Sequence, residues 1–210
     1  MKTRIFCLVS IVLNCCVSRS DAQEPKNTNA VGANSGTAEA PDRARLSMED
    51  FTKIASSHGD DTPLLPQLAK AGPHWTNATV TVALKYQDGR EFNEQITSIA
   101  KSVEGKYVVT AGESQFYHQK MTVISTFDEK ASAYRTWTLI GNVVAEQTAV
   151  YDFDKKIYAT SSSYGDGFAE VGVGSYSDAT ESSKTLVYKD GILFMTREVS
   201  VNPSGPTMKK

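Results

Sequence analysis

From Trp75 onward the chain alternates apolar and polar residues with a period of two. Val80, Val82, Leu84 and Tyr86 interleave with Thr79, Thr81, Ala83 and Lys85, the pattern of a strand with one buried face. The return strand carries Phe92 and Ile96. Between them lies Tyr86-Gln87-Asp88-Gly89, and Asp-Gly usually marks a two-residue hairpin loop. Here a two-residue loop would set Leu84 against Asn93. A three-residue loop, Gln87 to Gly89, pairs Tyr86 with Arg90, Leu84 with Phe92 and Val80 with Ile96. Only the longer loop matches the apolar faces, so Gly89 is expected in the left-handed region.

The Tyr-x-Asp-Gly motif recurs at Tyr164-Gly165-Asp166-Gly167 and Tyr188-Lys189-Asp190-Gly191. Further strands are expected over 107–111, 120–127, 134–140, 143–151, 156–163, 168–176, 185–188 and 192–201. Together with the first hairpin they make about ten, nearly all in sequential hairpins. Strands so arranged must close or pack to hide their edges. The fold class is therefore all-β, an antiparallel up-and-down barrel, with a β-sandwich as the alternative. Phe127-Asp128 through Tyr134 recurs as Tyr151-Asp152 through Tyr158, which reads as a repeated hairpin. A pair of Ca²⁺ loops would need oxygens not compensated by neighbouring lysines. Gly172-Val173-Gly174 and Gly165-Asp166-Gly167 open no helix and precede no Gly-Lys-Ser/Thr, so they are read as bends or bulges at a barrel corner and not as phosphate loops.

Ahead of the strands the period lengthens. Ser47-Met48-Glu49-Asp50 has capping-box spacing, with Leu46 and Phe51 placed as a hydrophobic staple. A helix over about 48–56 is expected, with Gly59 as its stop. A second begins with Thr62 as cap and Pro63 in its first turn. It carries Leu64, Leu65, Leu68 and Ala71 on one side and stops at Gly72-Pro73.

The first 22 residues change the setting. Lys2 and Arg4 precede an apolar run, Ile5 to Leu13, too short to span a bilayer, and Ser20-Asp21-Ala22 fits a cleavage site. A signal peptide over 1–22 predicts export, to the periplasm or outside the cell, with a mature start near Gln23. Residues 23–45 lack large apolar side chains and read as a disordered linker. A single barrel domain is placed over 46–205. Cys7, Cys15 and Cys16 all lie in the leader, so the mature chain has no disulfide and no thiolate. Lipid anchoring at Cys15 or Cys16 is the alternative to a freely soluble product, because a lipoprotein signal ends at a cysteine. Cleavage leaves 19 basic and 23 acidic residues, a net charge of −4. That balance argues against a nucleic-acid partner, which needs clustered Lys and Arg.

The stretch ending Gly72-Pro73-His74-Trp75, the segment Lys101-Ser102-Val103-Glu104-Gly105-Lys106-Tyr107-Val108-Val109, and Phe127-Asp128 through Tyr134-Arg135-Thr136-Trp137 carry a resemblance. They resemble the signatures of a bacterial exported family of unknown function, the one numbered fifteen-seventy-nine among such domains. The similarity runs over about residues 62–200. It implies a calycin-like, lipocalin-type barrel and no particular activity.

Candidate chemistry is sparse. His58, His74 and His118 share no metal-ligand spacing, and no Gly-x-Ser-x-Gly elbow is present. Neither a metal nor a cofactor is called for. At Tyr134-Arg135-Thr136-Trp137, Arg135 and Trp137 share one strand face. Turned into the lumen, they would bind a carboxylate whose tail packs on the indole. Turned outward, they would form a surface cation–π pair. Tyr107 beside Val109 carries the same ambiguity, and His118 lies at a strand entry. Arg135, Trp137, Tyr107 and His118 are thus the candidate ligand-binding residues, with no catalytic residue assigned.

Three functions follow. One is a barrel binding a small apolar or amphipathic ligand. Another is an envelope or interaction protein with a lumen filled by its own side chains. The third is an enzyme whose site the sequence does not display. A lumen cavity of a few hundred Å³ would favour the first.

Overall fold

The structure is a computed structural model that describes residues 46–71, 75–114, 119–140, 143–163, 167–177 and 179–204. The leader, the linker, His74, His118 and most of the second Tyr-x-Asp-Gly motif lie outside the described residues. Two helices, α1 (Met48–Ser56) and α2 (Pro66–Lys70), precede ten strands. These are β1 (Asn77–Tyr86), β2 (Glu91–Val103), β3 (Tyr107–Ser114), β4 (Gln119–Asp128), β5 (Ala133–Ile140), β6 (Val143–Asp152), β7 (Ile157–Ser163), β8 (Phe168–Tyr176), β9 (Glu181–Lys189) and β10 (Ile192–Pro203). Each pairs antiparallel with its chain neighbours, and β1 pairs with β10. The sheet is therefore an all-β, up-and-down closed barrel, which has no edge to protect.

The first hairpin has the three-residue loop. Leu84 faces Phe92, Val80 faces Ile96, Tyr86 donates its N–H to the Arg90 carbonyl at 2.9 Å, and Gly89 sits at φ 87°. The third motif is tighter. Lys189 pairs with Ile192 across a two-residue loop, with Asp190 at φ 51° and Gly191 at φ 79°. The first and third motifs follow β1 and β9, both odd-numbered strands, so these two connections sit at one end of the barrel. There the Asp190 N–H reaches the Gly167 carbonyl at 2.9 Å, and the Gln87 N–H reaches the Phe194 carbonyl at 3.1 Å.

Four local expectations are corrected. The first helix ends at a Ser57 C-cap, ahead of Gly59. Gly59 instead permits close approach to β2: a Cβ there would lie 2.9 Å from Lys101 Cβ. The second helix starts at Pro66 in its first turn, after Pro63, with Leu65 as N-cap. Proline at the first position is preorganised and loses no helical hydrogen bond. Gly172 and Gly174 sit in a β8 whose pairing with β7 and β9 is unbroken, and the irregularity falls at Leu193/Met195 in β10. Their missing side chains leave room for Thr160, Thr185 and the Tyr158 ring. The ninth strand also begins four residues earlier than expected, because Glu181-Ser182-Ser183-Lys184 carries no apolar alternation.

Cross-strand register assigns every residue a face. The lumen receives Val80, Val82, Leu84, Ile96, Met195, Val199 and Val201, all buried in one cluster. At the end opposite the Asp-Gly turns, Leu64, Leu68 and Ala71 pack on Ala100, Val108, Tyr134, Ala149 and Tyr158. The α2 segment is thus a plug. Tyr134 fastens it by donating to the Gln67 carbonyl at 2.7 Å. The α1 helix lies against the outside, where Phe51 joins Val103, Val109, Ile124 and Trp137. Its N-cap matches the capping pattern in part: Ser47 accepts the Asp50 N–H at 3.0 Å and donates to the Asp50 carboxylate.

Candidate functional site

Arg135 and Trp137 do share a face, and it is the outer one. Thr136 between them points into the lumen, where its hydroxyl lies 3.2 Å from that of Ser125. Arg135 is held by carboxylates on both sides, with Nε 2.7 Å from Asp128 and an η-nitrogen 2.5 Å from Glu146. The hydrogen bond from Arg135, followed by that from the Ala131 N–H, holds the Asp128 carboxyl below its ordinary range. Trp137 is buried beneath α1, and its indole N–H has no hydrogen-bond partner among the described residues. Tyr107 packs at the margin of the same cluster. A lumenal carboxylate clamp by Arg135 and Trp137 is therefore ruled out by register. Tyr107 is brought near Trp137, and His118 falls outside the described residues.

The lumen is occupied in layers. Near the Asp-Gly turns, Tyr86 makes edge contacts with Phe92 and Phe194, at centroid distances of 5.7 and 5.4 Å. Deeper lies a bidentate ion pair: Arg197 reaches Glu170 at 3.1 and 2.8 Å, with both residues 2% exposed. Ser114 donates to Glu94 at 2.8 Å in the same interior. At the plug end Tyr151 lies 4.6 Å from Tyr134 and 5.2 Å from Tyr158, ring to ring. There Tyr158 donates to Glu181 Oε1 at 2.5 Å, and Glu181 Oε2 has no partner among the described residues. Burial pushes the Glu181 carboxyl up to about 8, against the smaller opposing effect of the Tyr158 hydrogen bond. Arg197, Glu170, Ser114, Tyr158 and Glu181 are all buried there.

A concavity of about 910 Å³ lies on the outside, across β6, β7, β8, β9, β10 and β1. Two registered rows of outward side chains form it. One runs Val150, Ala159, Val173, Lys184, Glu198, Ala83; the other runs Asp152, Ile157, Ser175, Ser182, Ser200, Thr81. Six strands at sheet spacing make it about 24 Å long. It is also lined by Tyr151, Tyr158, Gly174, Ser183 and Val199, the lumen-facing residues that lie between the rows.

The two halves of this groove differ. Over β6 to β8 it is mainly apolar, with Val150, Ile157 and Val173 exposed by 60, 43 and 65%. Over β9 to β1 it is polar. Lys184 and Glu198 pair at 2.8 Å, and Ser182, Ser200 and Thr81 stand in line on successive strands. Sequence reasoning missed this site. Its one local signal is Val171-Gly172-Val173-Gly174, where the large residues of the alternation point outward.

Fold and groove together define a closed ten-strand barrel of unknown function. No family model matches the chain, so the numbered family suggested by its motifs is not confirmed, and no curated protein matches either. Among solved structures, it is similar to a protein of unknown function from the DUF3598 family of Nostoc punctiforme. That similarity has a TM-score of 0.42 and 13% identity, and covers 67% of this chain. It spans 50% of the length of the Nostoc protein. No described helix is long and apolar enough to cross a membrane, and no described cluster of His, Cys, Asp and Glu could hold a metal.

Proposed function

We propose that this protein is an exported binding protein that holds a small amphipathic ligand on the outside of its barrel. The observation that carries this reading is the groove's division into an apolar half over β6–β8 and a polar half over β9–β1. Its volume, about 910 Å³, falls in the range of small-molecule sites. A ligand with one alkyl portion would cover Val150, Ala159 and Val173, residues whose exposure otherwise costs free energy on a monomer's surface. Its head would lie among the hydroxyls and charges of β9, β10 and β1. Export is supported by the basic, apolar and small-residue order of positions 1–22.

Native mass spectrometry of the protein purified from its source tests the reading. A persistent extra mass, removed by organic solvent and lost in Val173→Asp but retained in Arg135→Ala, is the expected result. A clean mass beginning near Gln23 in every preparation would overturn ligand binding while supporting export. That outcome would favour a second reading, an interaction protein whose barrel needs no ligand. The buried Arg197–Glu170 pair supports it, since the barrel's own side chains already occupy mid-lumen.

A further inference from the structure

We propose that the polar half of the groove selects a zwitterionic head group, so that the ligand is a single-chain zwitterionic amphiphile. The inference rests on the reading of the groove as a ligand site. Lys184 on β9 and Glu198 on β10 stand directly opposite each other, paired at 2.8 Å, with side chains 58 and 59% exposed. An exposed pair of this kind contributes about 0–1 kcal/mol, so a ligand that separates it forfeits little. A head carrying a phosphate and an ammonium replaces that one contact with two, phosphate on Lys184 and ammonium on Glu198. A simple anion would gain Lys184 and meet Glu198 beside it. A simple cation would gain Glu198 and meet Lys184.

The neighbouring row supplies hydrogen-bond donors of matching position. Ser182 lies two residues before Lys184 on β9, Ser200 two residues after Glu198 on β10, and the two are registered opposite each other. Their hydroxyls can donate to phosphate oxygens without adding charge. The tail's direction follows from register. Val173 is opposite Lys184, Ala159 opposite Val173, and Val150 opposite Ala159. From Lys184 to Val150 is three strand spacings, about 14 Å, an apolar track for a chain of medium length. Head and tail therefore lie in one line across the strands.

The test is calorimetric titration of the mature chain with four probes sharing a dodecyl tail, each below its micelle threshold: dodecylphosphocholine, dodecyl phosphate, dodecyltrimethylammonium and dodecyl maltoside. Dodecylphosphocholine should bind at least tenfold more tightly than the others. Lys184→Ala and Glu198→Ala should each weaken it about tenfold. The charge-exchanged double variant K184E/E198K should stay within about threefold of the parent, because the head can bind reversed. Equal affinity for all four heads would overturn the head selection and leave the groove reading standing. Failure of all four to bind would overturn both. Phosphocholine binding that survives Val173→Asp unchanged would place the ligand elsewhere and defeat the assignment.

Discussion

On the outside of β3 to β5, Val109, Ile124 and Trp137 lie buried under Phe51 of α1. On the outside of β6 to β8, Val150, Val171 and Val173 stand 60, 48 and 65% exposed, with no element of the described chain over them. Both walls belong to one closed sheet, and both place apolar residues outward at alternate positions. They differ in what covers them and in side-chain size. The covered wall uses large residues that interlock with a helix. The bare wall carries valine, alanine and serine with one isoleucine, Ile157, and no tryptophan, and a broad concavity lies over it. Outward apolar alternation thus has two meanings in one molecule: an internal docking site for α1, and an open surface that a partner can occupy.

The sharpest way to break this comparison is Phe51→Ala. It should cost about 4 kcal/mol, as large-to-small changes in packed sites do, and redden Trp137 emission as the indole meets water; thermal melts and fluorescence read both. A loss below about 1 kcal/mol would mean that α1 is not a structural cover.

Glu181 tests how the bare half is held from within. Its folded-state value of about 8 lies above the ordinary 4.5, so the folded state keeps a proton that the unfolded chain releases. The stability tied to that proton is complete below pH 4.5, declines as pH rises, and is gone above about 8. Glu181→Gln should therefore be more stable than the parent at pH 9, by up to about 5 kcal/mol, with the difference shrinking toward pH 4. Denaturant titrations at the two pH values measure it, and a pH-independent difference would contradict the buried acid.

On the covered side, Asp128→Asn removes one of the two anions holding Arg135 and should cost about 1.5 kcal/mol at pH 7. Because the Asp128 carboxyl titrates below 3.8 in the fold, its contribution is present above that value and lost as pH falls through the folded pKa. The deficit of the variant should shrink progressively as pH falls below 3.8 in acid-unfolding curves. The smallest effect belongs to the bare wall: Val173→Ala should change stability by less than about 0.5 kcal/mol. A large loss there would mean the wall is covered in solution, which sedimentation would reveal as self-association.

Much of the scaffold was legible in the chain. The Leu84–Phe92 pairing followed from matching apolar faces, and the Ser47 cap from side-chain chemistry within four residues. Strand β9 was half missed, because Glu181 to Lys184 is polar on both faces. Its buried member, Glu181, owes its place to Tyr158 and not to hydropathy. Arg135 and Trp137 were correctly put on one face, but β5 offers Tyr134, Thr136 and Thr138 on the other, and the two faces are comparable in polarity. Nothing local chooses between them.

What the sequence by itself determined is period and punctuation: ten strands in sequential hairpins, with the first and third Asp-Gly turns after odd-numbered strands. These depend on backbone sterics and on neighbours a few residues away. What only the tertiary structure decided is which side of each strand faces in. Closing a barrel allows a limited interior volume, so apolar residues also face outward, and α1 covers those of β3–β5 while those of β6–β8 stay exposed. It also joined Thr81 to Ser200 through the β1–β10 pairing. That contact spans most of the described chain, and the candidate site depends on it.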